Sequence, residues 1–188
     1  MPNRWTLLLL SLCCTLSLLA QKPFNYDKAW QKIDSLIYKE LPKTALAEVN
    51  KLYAQSVKDQ QEAQRLKAII CKGHLSLVVE EESFKPVIVQ LEKELKTAKQ
   101  PSQQIVNSLL ADVYLRYFER QRWKMYDRKK TNSISSNPDT WSAEDFHQRI
   151  TQLYSASLKN PALLQQTNID NYQPIIIKGE TKLRPTLY

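Results

Sequence analysis

The sequence predicts an all-α fold: about six helices in antiparallel pairs, a TPR-like superhelical repeat arrangement, and an irregular C-terminal tail. Three observations carry this. Apolar residues recur at spacings of three and four along most of the chain, the period of a helix buried on one side. Only two glycines, Gly73 and Gly179, occur in 188 residues, and nine prolines punctuate segments without clustering. Segments 45–58 and 87–100 share an apolar-apolar start, an apolar residue four on and a basic end, at an offset of 42 residues. Helical pairs repeated at about this length are how superhelical arrays look in sequence.

At the amino terminus, 1–20 reads as a secretory signal, with Arg4 as the positive head and a nearly unbroken apolar run over 5–19. That run is short of the roughly 20 residues a bilayer span needs. Cleavage is expected between Ala20 and Gln21, and export to a bacterial periplasm or outer-membrane surface follows. Lipidation at Cys13 or Cys14 is the alternative, and membrane association is expected only in that case. Leu12 and Cys13 precede them where a small residue is wanted. Once the signal is removed, Cys71 is the one remaining cysteine, so the domain has no internal disulfide and depends on packing.

The helical domain is expected over 21–159. Trp30, Ile33, Leu36 and Ile37 form one stripe over 26–41, ended by Pro42, which pushes the preceding residue out of helical geometry. Thr44 can cap a second helix carrying Ala45, Leu46, Val49, Leu52, Tyr53 and Val57, and a two- or three-residue joint makes the two a hairpin. A third helix over 60–79 presents Ala63, Leu66, Ile70, His74 and Leu77. A fourth presents Phe84, Val87, Ile88, Leu91 and Leu95.

The centre of the chain is 105–128, read as one long helix. Val106, Leu109, Leu110, Val113, Tyr114, Tyr117 and Phe118 cover most of its first half, so it must be surrounded. Its second half turns basic and aromatic, with Arg120, Arg122, Trp123, Lys124, Tyr126 and Arg128 together. After a polar loop over 129–138, Ser142 can cap a sixth helix with an acidic first turn, which complements the positive end of the helix dipole. Its stripe is Phe146, Ile150, Leu153, Tyr154 and Leu158. Beyond that, 160–188 is expected as a tail with a short extended segment at 175–179.

The net charge of +8 is spread along the chain, and favours acidic partners without bearing on fold. Two glycines are too few for a phosphate loop or a dinucleotide fingerprint. Cys71 and His74 could share a helix face, but a thiol–imidazole pair or half a metal site needs further groups, and a buried thiol is ordinary packing. His147 reads as a half-exposed filler. Glu80, Glu81 and Glu82 lack the alternating spacing of a calcium loop. No catalytic residue, metal or cofactor is expected, and the chain is not read as an enzyme.

The basic-aromatic group at 120–128 is the stretch with partner potential. Aromatics beside arginines suit single-stranded nucleic acid, but at helical spacing such residues more commonly seal a bundle, stems buried and heads in water. Export removes the usual nucleic-acid compartments, so no nucleic acid is expected.

Three collinear stretches carry a family resemblance: Ser108-Leu109-Leu110-Ala111-Asp112-Val113-Tyr114 with Arg122-Trp123-Lys124, then Thr140-Trp141, then Leu183-Arg184-Pro185-Thr186-Leu187-Tyr188. Together they resemble the amino-terminal helical region of the large exported alpha-2-macroglobulin-like proteins of Bacteroidetes-type bacteria, over about 26–188. The resemblance implies protease inhibition by trapping in the whole molecule, and a chain that looks like a piece of a longer one. The family's Cys-Gly-Glu-Gln thioester motif is not matched by Cys71-Lys72-Gly73. The expected role is therefore a non-catalytic scaffolding or docking module. Its partners would be downstream domains of the same protein or another envelope protein, with a protease engaged only through the full-length molecule. The alternative is an independent exported helical-repeat protein that binds peptide, protein or glycan.

Overall fold

The computed structural model describes residues 23–79, 84–130, 135, 137–176, 183 and 185–188. Ala20 and Gln21, the acidic run 80–82 and residues 177–179 of the extended segment expected over 175–179 lie outside the described residues; Ile175 and Ile176, which are described, fold back in a turn, their backbone N–H groups donating to Tyr172 O at 2.9 and 3.2 Å. Among those described, seven α-helices make up the fold and there is no strand: α1 (Tyr26–Tyr38), α2 (Pro42–Lys58), α3 (Glu62–Val79), α4 (Phe84–Thr97), α5 (Ser102–Gln121), α6 (Ala143–Ser157) and α7 (Pro161–Gln166). The fold is all-α, and from α1 to α6 each helix packs on the next in the chain.

The joints are short because the helix ends are made locally. At the end of α1, Leu41 N donates to Leu36 O at 3.0 Å and Glu40 N to Ile37 O at 3.0 Å, with Glu40 at φ 56. At the end of α2, Gln61 N donates to Ser56 O at 2.9 Å and Gln60 N to Val57 O at 3.3 Å, with Gln60 at φ 55. Both are paired 6→1 and 5→2 closures around a left-handed residue, a place that usually takes glycine. Pro42 does more than end α1. It occupies the first turn of α2, where its missing N–H costs nothing, so Thr44 is not the cap.

Alternate helices also touch, which sorts the stack into two layers. Trp30 Nε1 on α1 donates to Gln64 Oε1 on α3 at 2.7 Å. On α2, Tyr53 OH donates to Glu94 Oε2 of α4 at 3.4 Å and accepts from Gln90 Nε2 at 3.1 Å. Arg149 Nη2 on α6 donates to Glu92 Oε1 on α4 at 2.7 Å. Leu66 and Ile69 of α3 share a core with Val106 and Leu110 of α5. Odd-numbered helices thus line one side and even-numbered helices the other.

The 42-residue offset corresponds to α2 and α4. Ala45, Val49, Leu52 and Ser56 are buried, and so are Val87, Leu91, Glu94 and Ala98 at the same relative places. Glu94 stands where Leu52 stands, and Arg65 Nε of α3 lies 2.8 Å from its Oε1. The offset does not extend to α6, which begins only at Ala143, so the regularity is that of stacked hairpins in two related copies.

Two cores result. Trp30, Ile33, Ala45, Val49, Leu52, Ala68 and Leu75 close the first. The second is centred on α5 and α6, where Phe146 is fully buried among Tyr117, Phe118 and Trp141 at centroid distances of 5.7, 5.6 and 4.9 Å. Such ring pairs contribute about 0.5–1.5 kcal/mol each beyond their buried area. The wall between the cores is α3, giving Leu66 and Ile69 to one and Ala68 and Leu75 to the other. A single stripe through Ile70 and His74 therefore misdescribes it: His74 is exposed, and Gly73 is buried instead. A Cβ on Gly73 would lie 3.2 Å from Val87 Cγ1, which marks the close approach of α3 to α4.

Residues after Asn160 run through α7 and a 3-10 turn at Ile169–Tyr172, and are tied back by an antiparallel bridge between Asn168 and Thr186. Tyr172 OH and Ser102 Oγ share a buried hydrogen bond of 2.7 Å, so this segment rests on the first turn of α5.

Candidate functional site: a basic cleft at the end of α5

The helix expected over 105–128 stops at Gln121. No proline or glycine in that stretch demands it. The cause is tertiary: Met125 is drawn into the core, 2% exposed, and the chain tightens into the 3-10 turn Arg122–Lys124, with Met125 N donating to Arg122 O at 2.9 Å. Arg128 Nη1 then donates to the backbone oxygens of Asp139 and Trp141, the latter at 3.3 Å.

The break splits the six residues of the basic-aromatic group. Arg120, Lys124 and Arg128 converge on one cleft, while Trp123 and Tyr126 stand out in solvent, 69% and 68% exposed, and Arg122 is also exposed. The aromatics do not seal the bundle; Met125 does. Lys124 Nζ lies 4.9 Å from the centroid of the Trp123 ring, a cation–π contact at an exposed site.

The cleft encloses about 250 Å³. Its walls are Phe84 and Lys85 from the start of α4, Tyr117 and Arg120 from the last turns of α5, and Met125 and Arg128 beyond it. Asp139 enters from the loop opposite. It accepts from Tyr117 OH at Oδ1 and pairs with Lys85 Nζ at Oδ2. Burial works to raise its pKa, but the hydrogen bonds from Lys85 and Tyr117 and the charges of Lys85 and Arg128 outweigh that and hold it below the usual carboxylate range. Four cations thus face one carboxylate. Sequence periodicity could not find Lys85 or Asp139 as partners, because they are brought together by loop closure.

A second hollow of about 590 Å³ opens between α4 and α6. Tyr114 and Trp141 lie at its base, stacked at 5.1 Å, with Val89, Lys93, Lys96 and Gln152 around them. Val89 is 67% exposed, a branched apolar side chain left in water on the rim.

Cys71 is partly buried against the first core, and burial pushes its thiol pKa up, the reverse of an activated nucleophile. His147 is exposed, edge-on to Phe118 at 4.9 Å. Among the described residues no three His, Cys, Asp or Glu side chains gather for a metal, and no helix is long and apolar enough to cross a membrane. Searches against family models, curated proteins and solved structures gave no match to this chain.

Proposed function

We propose that the chain is a non-catalytic helical docking module belonging to the start of an exported alpha-2-macroglobulin-like protease-trapping protein. Its partner would be the downstream domains of that protein or another envelope protein. The family part rests on the quoted sequence stretches alone. The docking part is supported by one observation above the others, the open hollow between α4 and α6 with exposed Val89 on its rim and the Tyr114–Trp141 stack as its base. Concave faces made by stacked helical pairs are the surfaces such arrays offer to other proteins. The test is to read the nucleotide sequence beyond the codon for Tyr188 and its neighbouring frames, and to co-express any β-sandwich domains found there with this chain. Co-elution supports the reading. Absence of such domains removes the family part, and separate elution removes docking to them.

The independent binding protein remains the second reading, favoured by the gathering of Arg120, Lys124 and Arg128 on one cleft at the end of α5, apart from the α4–α6 hollow. Saturable binding of a defined peptide or glycan, with no association with sandwich domains, selects it.

A further inference from the structure

We infer that the cleft at the end of α5 is a receptor for an acidic segment of polypeptide, one carrying a Glu or Asp beside an apolar side chain. The inference rests on the docking reading and is independent of the family.

Charge complementarity is the first argument. Of the four cations, Lys85 and Arg128 are engaged by Asp139, through its carboxylate and its backbone oxygen. Arg120 and Lys124 form no ion pair among the described residues, and both are exposed at the mouth. Two uncompensated cations over one hollow attract a carboxylate, and the low-dielectric walls focus that attraction.

The second argument is the wall chemistry. Phe84, Tyr117 and Met125 are 7%, 7% and 2% exposed and form the apolar part of the lining. Each shows only an edge at the floor of the cleft, so the apolar contact on offer is a small one beside the cations, which part of a side chain next to the acid can make and an inorganic phosphate cannot. A volume of about 250 Å³ is also below the usual ligand pocket of about 300–1,000 Å³, and suits one or two side chains rather than a whole metabolite. A nucleic acid strand needs cations spaced along a track for successive phosphates. Here they converge on a point.

The test uses the purified full chain and fluorescein-labelled peptides read by anisotropy. The probe is a hexapeptide alternating Glu and Leu; the controls replace every Glu by Lys, or every Leu by Ser, and a poly-dT oligonucleotide tests the other polymer. The expected result is saturable binding of the Glu-Leu peptide, at least tenfold weaker to both control peptides, and several-fold weaker at 300 mM than at 50 mM salt. The double variant R120E/K124E, both at exposed positions, should weaken it at least tenfold, while K93E/K96E in the α4–α6 hollow should leave it unchanged. Circular dichroism of the variants checks that the fold is kept. Loss on K93E/K96E instead would overturn the cleft while keeping docking on the other surface. No binding of the peptide, or tighter binding of poly-dT with the same sensitivity to R120E/K124E, would overturn the cleft as a peptide receptor, and co-elution with downstream domains would still judge the docking reading.

Discussion

Removing the buried carboxylate of Glu94 should be among the most damaging single changes in this stack. Glu94 is 4% exposed, holds Arg65 Nε at 2.8 Å and accepts weakly from Tyr53 OH at 3.4 Å, so it joins α2, α3 and α4. Taking one partner from a buried ion pair costs about 3–5 kcal/mol, because the other charge is left without its counter-ion. Arg65 has some relief: its side chain is 23% exposed and reaches Glu62 Oε1 at 3.4 Å. The cost of Glu94→Ala should therefore fall near the lower end, about 3 kcal/mol. For a chain of this size that corresponds to a drop of ~6–12 °C in Tm. Because Glu94 occupies the place that Leu52 fills in α2, the double variant R65M/E94L should restore most of the loss, ending within about 1 kcal/mol of the parent or above it. Urea unfolding followed at 222 nm gives the numbers, provided the slope with denaturant stays constant. A Glu94→Ala cost below about 0.5 kcal/mol would refute the reasoning, being the size of an ordinary surface change. So would a double variant as unstable as Glu94→Ala.

Three further outcomes follow from other parts of the stack. Glu40→Gly and Gln60→Gly should each stabilise by about 0.5–1 kcal/mol, since both residues sit at positive φ in helix-closing turns; destabilisation by either in urea would contradict the assignment. Ser142→Ala should cost about 2 kcal/mol, the upper end for a cap, because Ser142 and Asp145 form a reciprocal capping box that is buried, and a loss below about 0.5 kcal/mol would mean that another cap replaces it. Burial raises the phenol pKa of Tyr26, Tyr53, Tyr114 and Tyr172 above the ordinary value near 10. The unfolded chain then releases these protons more readily, so stability should be complete below about pH 10 and fall as pH rises beyond it. Tyrosinate absorbance for this set should appear together with loss of helical ellipticity; its appearance in a fully helical protein would be the contrary result.

What the sequence discloses is what repeats locally. Stripes such as Trp30–Ile33 and Phe146–Ile150–Leu153, and the cap at Ser142, are set within one turn or two, and each lies where its spacing places it. Burial of α5 follows from how little of its first half is polar. The two faces of α3 were not legible, because a helix with neighbours on both sides has no single stripe. Nor was the end of α5 at Gln121: the residues 122–128 can continue a helix, and the burial of Met125 and the reach of Arg128 to Asp139 and Trp141 decide otherwise. Half of the basic-aromatic group could be assembled into a site only once Lys85 and Asp139 had been placed beside it by the fold.

Isothermal titration of the chain with any β-sandwich domains found encoded beyond Tyr188, repeated with Val89→Arg on the rim of the α4–α6 hollow, bears most directly on the docking role. Saturable binding that Val89→Arg weakens at least tenfold, with helical content unchanged, is the predicted result. Absence of binding, or equal binding by the parent and the Val89→Arg chain, would contradict it.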